Sequence, residues 1–307
     1  MSRSDFELIA PPHAPFHSDG SLNLEVVEQL AARYVETNIA GVFVSGTTGE
    51  SSSLTVEERL TLARRWCEAS RNTELSVIIQ VGHNCVADSC EMAKHAQWEG
   101  AEAVATMAPS FLKPASIEDL IECCAPIAAA APDLPFYLYD IPVLTNVRLP
   151  LDVFLQKAKD RIPNLKGLKF TNPDLVLLQE CLAVDDGDFD ILFGCDEILL
   201  AGATMGCRGA VGSTYNFAAE QNHRLVAALR SGNLATARRL QLHAVRRIRL
   251  LQRFGFLPAS KAVMSFLGID CGPVRAPLKN LTKAELHQLR SEYEALEATT
   301  PELVGAI

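Results

Sequence analysis

Lys169 closes a short apolar stretch, Leu165-Lys166-Gly167-Leu168-Lys169, and thirty residues earlier Tyr139 closes another, Phe136-Tyr137-Leu138-Tyr139. A lysine at the end of a strand buried on both faces is costly to keep charged. Its pKa should fall, leaving a free amine able to attack a ketone. A buried phenol at a neighbouring strand end can relay a proton if it is hydrogen-bonded. Taken alone, the two segments are explained better by a lysine paired with a carboxylate and a core tyrosine with a satisfied hydroxyl. The remaining strand ends have to decide between these readings.

Four further segments place small and polar residues where apolar runs stop. Gly46-Thr47-Thr48-Gly49-Glu50 follows Val42-Phe43-Val44-Ser45. Its glycines allow a tight turn that presents backbone N–H groups and the Thr47 and Thr48 hydroxyls, a suitable cradle for a small carboxylate. Thr171 lies two residues beyond Lys169. Gly194-Cys195-Asp196-Glu197 puts two acids at the entry to a helix, where they either favour its N-terminus or grip the hydroxyls of a polyol. Gly212-Ser213-Thr214-Tyr215-Asn216 is a second run of hydroxylated residues. The chain has no Cys-x-x-Cys, no His pair at metal-ligand spacing and no Gly-x-Gly-x-x-Gly after a strand, so neither a metal nor an organic cofactor is expected.

What must position these residues is a repeated strand-helix unit. Short apolar runs alternate with longer amphipathic ones, the pattern of a parallel sheet. Eight strands are expected, at 8–10, 41–45, 77–81, 103–107, 136–139, 165–169, 191–193 and 209–212. The helical patterns between them cover 24–36, 55–70, 89–99, 117–131, 151–159, 174–184, 197–205 and 218–230. Thr55 with Glu58 forms a capping box, and Asn172-Pro173 is expected to open the helix after Lys169. At least two more helical stretches, 234–254 and 284–296, exceed what eight units require. The expected fold is an α/β (β/α)8 barrel over residues 1–232, with a C-terminal helical layer over 233–307 packed on it. A doubly wound open sheet is the alternative.

With 307 residues and 48% hydrophobic content the chain can bury a large core. Its formal net charge is -9, and Arg64-Arg65, Arg238-Arg239 and Arg246-Arg247 are scattered over helical patterns, so nucleic acid is not an expected partner. The start of the chain lacks the apolar core of a secretory leader, and no apolar stretch is long enough to span a bilayer, which points to a cytoplasmic protein without membrane contact. Nine cysteines, an odd number, read mostly as small buried hydrophobes in a reducing compartment.

On these motifs the chain resembles the pyruvate-dependent class I aldolase superfamily, which includes dihydrodipicolinate synthase and N-acetylneuraminate lyase. The likeness runs from about Leu8 to about Leu281, with Gly46-Thr47-Thr48-Gly49-Glu50, Tyr139-Asp140-Ile141-Pro142, Gly167-Leu168-Lys169 and Gly212-Ser213-Thr214-Tyr215-Asn216 in family order. Phe111-Leu112-Lys113-Pro114 and Phe193-Gly194-Cys195-Asp196-Glu197 bring it nearest the lyase branch, its animal-type members in particular. The resemblance implies a Schiff-base lysine in Lys169, a proton-transfer phenol in Tyr139, and pyruvate-carboxylate binding by Thr47 and Thr48. It assigns Thr171, Gly194, Asp196, Glu197 and Ser213 to the polyhydroxylated tail of a sugar acid. It also implies a cofactor-free retro-aldol cleavage of sialic acid, and a homotetramer.

Dihydrodipicolinate synthase itself fits less well. That enzyme carries an arginine two residues after the proline of its Tyr-x-x-Pro motif, where this chain has Leu144, and a tyrosine where this chain has Phe111. Other departures bear on specificity: Asp140 replaces a histidine or asparagine, Ala14 a threonine and Ser110 an aromatic residue, and His83 ends the third strand. A sibling aldolase acting on another 2-keto-3-deoxy sugar acid, or a barrel that only binds keto acids, are the alternatives.

Overall fold

The computed structural model describes residues 6–299, so most of the N-terminal stretch read above for a leader, and the end of the C-terminal layer, lie outside the described residues. Eight strands run β1 (Glu7–Ala10), β2 (Gly41–Val44), β3 (Ser76–Gln80), β4 (Ala103–Met107), β5 (Phe136–Asp140), β6 (Leu165–Phe170), β7 (Asp190–Phe193) and β8 (Gly209–Val211). All neighbours pair in parallel and β8 pairs back onto β1, closing the barrel.

The apolar runs are continuous because both faces of each strand are covered. Alternate side chains point inward. Ile9, Phe43, Ile78, Ala105, Tyr137, Tyr139, Leu192 and Val211 fill the lumen as one cluster. Their neighbours Leu8, Val42, Val44, Val104, Leu138, Leu168, Phe170 and Phe193 pack outward in the larger core beneath the helices.

The helices are α1 (Val26–Glu36), α2 (Val56–Ser70), α3 (Val86–Glu99), α4 (Ile117–Ala129), α5 (Pro142–Thr145), α6 (Leu151–Ala158), α7 (Leu175–Ala183), α8 (Leu199–Met205), α9 (Tyr215–Arg230), α10 (Leu234–Arg253), α11 (Phe256–Phe266) and α12 (Lys283–Glu297). The capping box of Thr55 and Glu58 forms, with Glu58 N donating to Thr55 Oγ1 and Thr55 N to Glu58 Oε2. Helix α7 is capped differently from expectation: Asp174, not Asn172, accepts from the amides of Val176 and Leu177. Asn172 is drawn away because its side chain accepts from Asp174 N and donates to Asp140.

Helix α9 begins at Tyr215, three residues before its amphipathic pattern, and Ala218 breaks the helical geometry at the junction. Helices α5 and α11 have no counterpart among the expected elements. Helices α10 and α11 pack on α9 of the barrel's outer layer and α12 packs on those two, where the buried Arg247 of α10 grips Glu297 at the end of α12 through two bonds of 2.7 Å. No helix among the described residues is long and apolar enough to cross a membrane.

Candidate active site

Tyr139 and Lys169 occupy paired positions in the register of β5 and β6 and both point into the lumen, which is why residues thirty apart in sequence meet. The Lys169 Nζ stands 3.9 Å from the centroid of the Tyr139 ring and 3.9 Å from that of Phe43 on β2. The side chain is 4% exposed and forms no ion pair among the described residues. The carboxylate-paired lysine that the sequence left open is therefore not what the fold builds. Burial drives the amine's pKa down to about 7, against a weaker pull upward from the charge of Asp196.

The Tyr139 hydroxyl lies 3.1 Å from Thr47 Oγ1. Burial pushes this phenol up to about 12; the Thr47 and Thr171 hydroxyls beside it pull the other way without prevailing. Tyr139 is therefore a protonated phenol at neutral pH. The Asp140 charge adds only the smallest push in the same direction. Asp140 follows Tyr139 in the strand and so points outward, into a small space lined by Leu120, Thr145, Val147 and Leu151, with its carboxylate on Asn172. Burial raises the Asp140 carboxyl to about 6.

Around this pair the remaining strand ends converge. Thr48 Oγ1 and Ser213 Oγ are 2.6 Å apart, which ties the turn after β2 to the one after β8 and places Ser213 beside the two threonines. The Thr171 hydroxyl is buried near that of Tyr139 but makes no hydrogen bond of full geometry among the described residues. It sits directly over Gly194, where a Cβ would come within 2.0 Å of it, so glycine is required there. Asp196 is buried and its Oδ2 accepts from Thr214 N at 2.8 Å and Thr214 Oγ1 at 2.6 Å. Its carboxyl is raised to about 6 by burial, and its other oxygen fills the space a Cβ on Gly212 would need. One oxygen of Asp196 is thus committed to shaping the β8 loop. Glu197, by contrast, is exposed.

A cavity of about 490 Å³ opens beside Thr47 at this end, lined by His83, Asn84, Ser110, Leu144, Leu257 and Pro277. His83 is half-exposed and sits 3.3 Å from Asp88. A larger cavity of about 650 Å³ lies at the opposite, N-terminal end around Glu7, Lys166 and Arg208, remote from the amine and the converging hydroxyls. Among the described residues no group of three or more His, Cys, Asp or Glu could hold a metal. Burial raises the thiols of Cys195 and Cys207 to about 12, which makes them poor nucleophiles.

Two contributors escape a reading by strand ends. Phe43 looks like one more core residue in its strand, yet its ring forms one wall of the amine's pocket. Helix α11 and the segment after it supply Leu257, Pro277 and Leu278 to the mouth. Gly255 followed by Pro258 in the first helical turn is the signal that could have marked that helix.

A closed parallel barrel with a desolvated amine, a protonated phenol and clustered hydroxyls at its C-terminal mouth defines the Schiff-base class of (β/α)8 lyases. The Dihydrodipicolinate synthetase family model matches residues 6–296, and the chain belongs to that family. It is 40% identical over 283 residues to the N-acetylneuraminate lyase of Xenopus tropicalis, covering 91% of this chain and 92% of the relative. The Proteus mirabilis N-acetylneuraminate lyase superposes with a TM-score of 0.92 at 38% identity, covering 95% of this chain and 98% of that one. For the sialic acid aldolase of Aliivibrio salmonicida the values are 0.93 and 36%, with 97% and 98% covered.

Proposed function

We propose that this chain cleaves N-acetylneuraminate reversibly to N-acetylmannosamine and pyruvate through an imine on Lys169. The observation that carries the reading is the buried Lys169 amine, without an ion pair among the described residues and held between Phe43 and Tyr139. The likeness to N-acetylneuraminate lyases over nine-tenths of the chain supports the choice of substrate.

Neutral Lys169 adds to the C2 ketone of the open-chain sugar acid, and the carbinolamine takes up one proton as it loses water, leaving an iminium. The C3–C4 bond then breaks as its electrons flow into the iminium to form an enamine, while the C4 hydroxyl loses its proton and becomes the aldehyde of N-acetylmannosamine. A phenol pushed up to about 12 cannot start as the base, so Tyr139 acts as a relay. It accepts the C4 proton as it passes its own to the substrate carboxylate, which is held by the Thr47 and Thr48 hydroxyls. The proton now on the carboxylate goes to C3 of the enamine, and water hydrolyses the resulting iminium to pyruvate and the free lysine, releasing the proton taken up at the start. Thr171, Asp196, Glu197 and Ser213 contact the sugar tail, with Gly194 leaving the room that Thr171 needs.

The test is borohydride trapping followed by peptide mapping. Incubation with N-acetylneuraminate should leave a reduced pyruvyl adduct on Lys169. An adduct with pyruvate but none with N-acetylneuraminate would redirect the substrate to another sugar acid; no adduct with either would overturn the imine.

The chain works as a homo-oligomer, a tetramer by its resemblance to the family, in the reducing environment of the cytoplasm. Phe111 and Leu112 in the loop after β4, and Val143 and Leu144 in α5 after β5, are 58–84% exposed, an apolar surface suited to a second copy. All nine cysteines are free thiols, which suits a reducing compartment. Sedimentation equilibrium at four times 33.4 kDa is the expected result, and Phe111→Glu should shift it to smaller species.

A further inference from the structure

The turn that carries Thr47 and Thr48 is bracketed by two non-glycine residues in the left-handed region, Ser45 at φ 56° and Glu50 at φ 50°. Such conformations persist only where surrounding contacts enforce them. Glu50 closes the turn through its backbone, its amide donating to Thr47 O at 3.0 Å. Its side chain is held elsewhere. The carboxylate is 1% exposed; Oε1 stands 2.8 Å from the Nζ of Lys261, itself 3% exposed, and Oε2 accepts from Arg275 N at 3.0 Å.

Lys261 belongs to α11, outside the eight strand-helix units. Its ammonium also donates to Pro273 O at 2.7 Å and lies 4.4 Å from the centroid of the Phe16 ring. His13, fully buried next to it, is pushed down to about 3 by burial and by the Lys261 charge, so it remains neutral. The Arg275 guanidinium is engaged with Glu58, Gly20 O and Ser53 O. Among the described residues Glu50 is the carboxylate that balances Lys261, and the link between them crosses from the C-terminal helices to the mouth of the barrel.

We infer that Glu50 and Lys261 are a positioning pair through which helix α11 sets the angle of the Thr47–Thr48 hydroxyls toward the substrate carboxylate. This rests on the reading that those hydroxyls hold pyruvate. Neither residue of the pair touches the reacting atoms. Loss of the pair therefore loosens the cradle while the amine and phenol, mounted on β5 and β6, keep their places. The signature is weakened binding of the keto acid with the chemical step and the aldehyde partner largely unaffected.

The experiment measures condensation of pyruvate with N-acetylmannosamine and, separately, the pyruvate concentration that half-saturates borohydride trapping. Removing one member of a buried ion pair can unfold a chain. Glu50→Gln and Lys261→Met are therefore accompanied by Lys261→Arg and by the double variant, which leaves no unbalanced charge. Both single variants and the double variant should raise the KM for pyruvate and the trapping midpoint by about tenfold or more, as expected for a weakened charged hydrogen bond. Their kcat should stay within about threefold and the KM for N-acetylmannosamine unchanged, while Lys261→Arg retains most of the pyruvate affinity.

A merely structural pair would instead lower the active fraction, and hence kcat, at constant KM. That result, or a folded double variant with the wild-type KM for pyruvate, overturns the proposal. Thr47→Val separates the two layers. If it leaves the pyruvate midpoint unchanged, the carboxylate cradle itself is wrong and the positioning role falls with it. If it raises the midpoint while the pair variants do not, the positioning role alone is refuted.

Discussion

Lys169→Met is expected to abolish turnover while making the protein more stable. The substitution removes the only atom that can form the imine, so kcat should fall by roughly 10⁴-fold or more, as for loss of other covalent nucleophiles. The stability gain follows from linkage. The folded amine titrates at about 7, below the ordinary 10.5 of a lysine. An unfolded chain keeps its proton up to about 10.5, so unfolding takes up a proton throughout the window between these values. Stability therefore rises with pH across that window, and the penalty of the buried amine is fully present below about 7.

The gap corresponds to an upper limit of roughly 5 kcal/mol. A methionine of similar length, with no charge to desolvate, should recover half of this, roughly 2–3 kcal/mol at pH 7 and nothing above about 10.5. Thermal melting of both proteins at pH 6.5 and at pH 10.5 reads the effect directly. Equal melting temperatures at the lower pH would show that Lys169 is not strained by burial. Turnover within a hundredfold of wild type would remove it from the mechanism. The wild-type enzyme carries the kinetic counterpart: kcat/KM should fall tenfold per pH unit below about 7, as the amine gains its proton.

The cost borne by that amine explains why the site is partly legible without coordinates. A lysine at the end of a run such as Leu165–Lys169 is a local contradiction of the apolar pattern, and in a barrel every such contradiction at a C-terminal strand end faces one mouth. Lys169, Tyr139, Thr47, Thr48 and Ser213 are legible for this reason. The partners of these residues are a different matter. Sequence cannot say that Ser213 bonds to Thr48, or that Asp196 spends one oxygen on Thr214, because those contacts depend on how far each loop reaches across the barrel. It also leaves the direction of Asp140 open until the register of β5 is known. One residue of register separates a carboxylate aimed at the phenol from one aimed at Asn172.

The strands are legible for a related reason and the accessory helices less so. A strand buried on both faces writes a dense apolar signature into four or five residues, and all eight lie within two residues of their expected bounds. Helix α11 instead mixes Lys261 and Ser260 into its buried face, because that face packs on the polar turn around Glu50 and on His13 rather than on an apolar core. Its periodicity is blurred by the contacts that connect it to the mouth. Helix α5 is too short, at four residues, to show a period at all.

Tyr139→Phe is expected to separate imine formation from carbon–carbon cleavage. The phenol's ring, not its hydroxyl, walls the amine's pocket at 3.9 Å, so phenylalanine should leave Lys169 as buried and its titration near 7 unchanged. Borohydride trapping with pyruvate should then persist within about tenfold of wild type. Cleavage needs the hydroxyl itself to take the C4 proton, and its loss should lower kcat by about 10²–10⁴-fold, the usual worth of a positioned proton-transfer group. The structural cost is small, about 1 kcal/mol for the bond to Thr47, whose hydroxyl can turn to the substrate carboxylate instead. Because burial pushes the phenol up to about 12, no basic limb from Tyr139 should appear in the wild-type profile below about pH 11. A basic limb near pH 9 that vanishes in the phenylalanine variant would mean that an ionised phenolate is the true base. Equal losses in trapping and cleavage would instead mean that Tyr139 serves the amine, with the proton of the C4 hydroxyl leaving by another path.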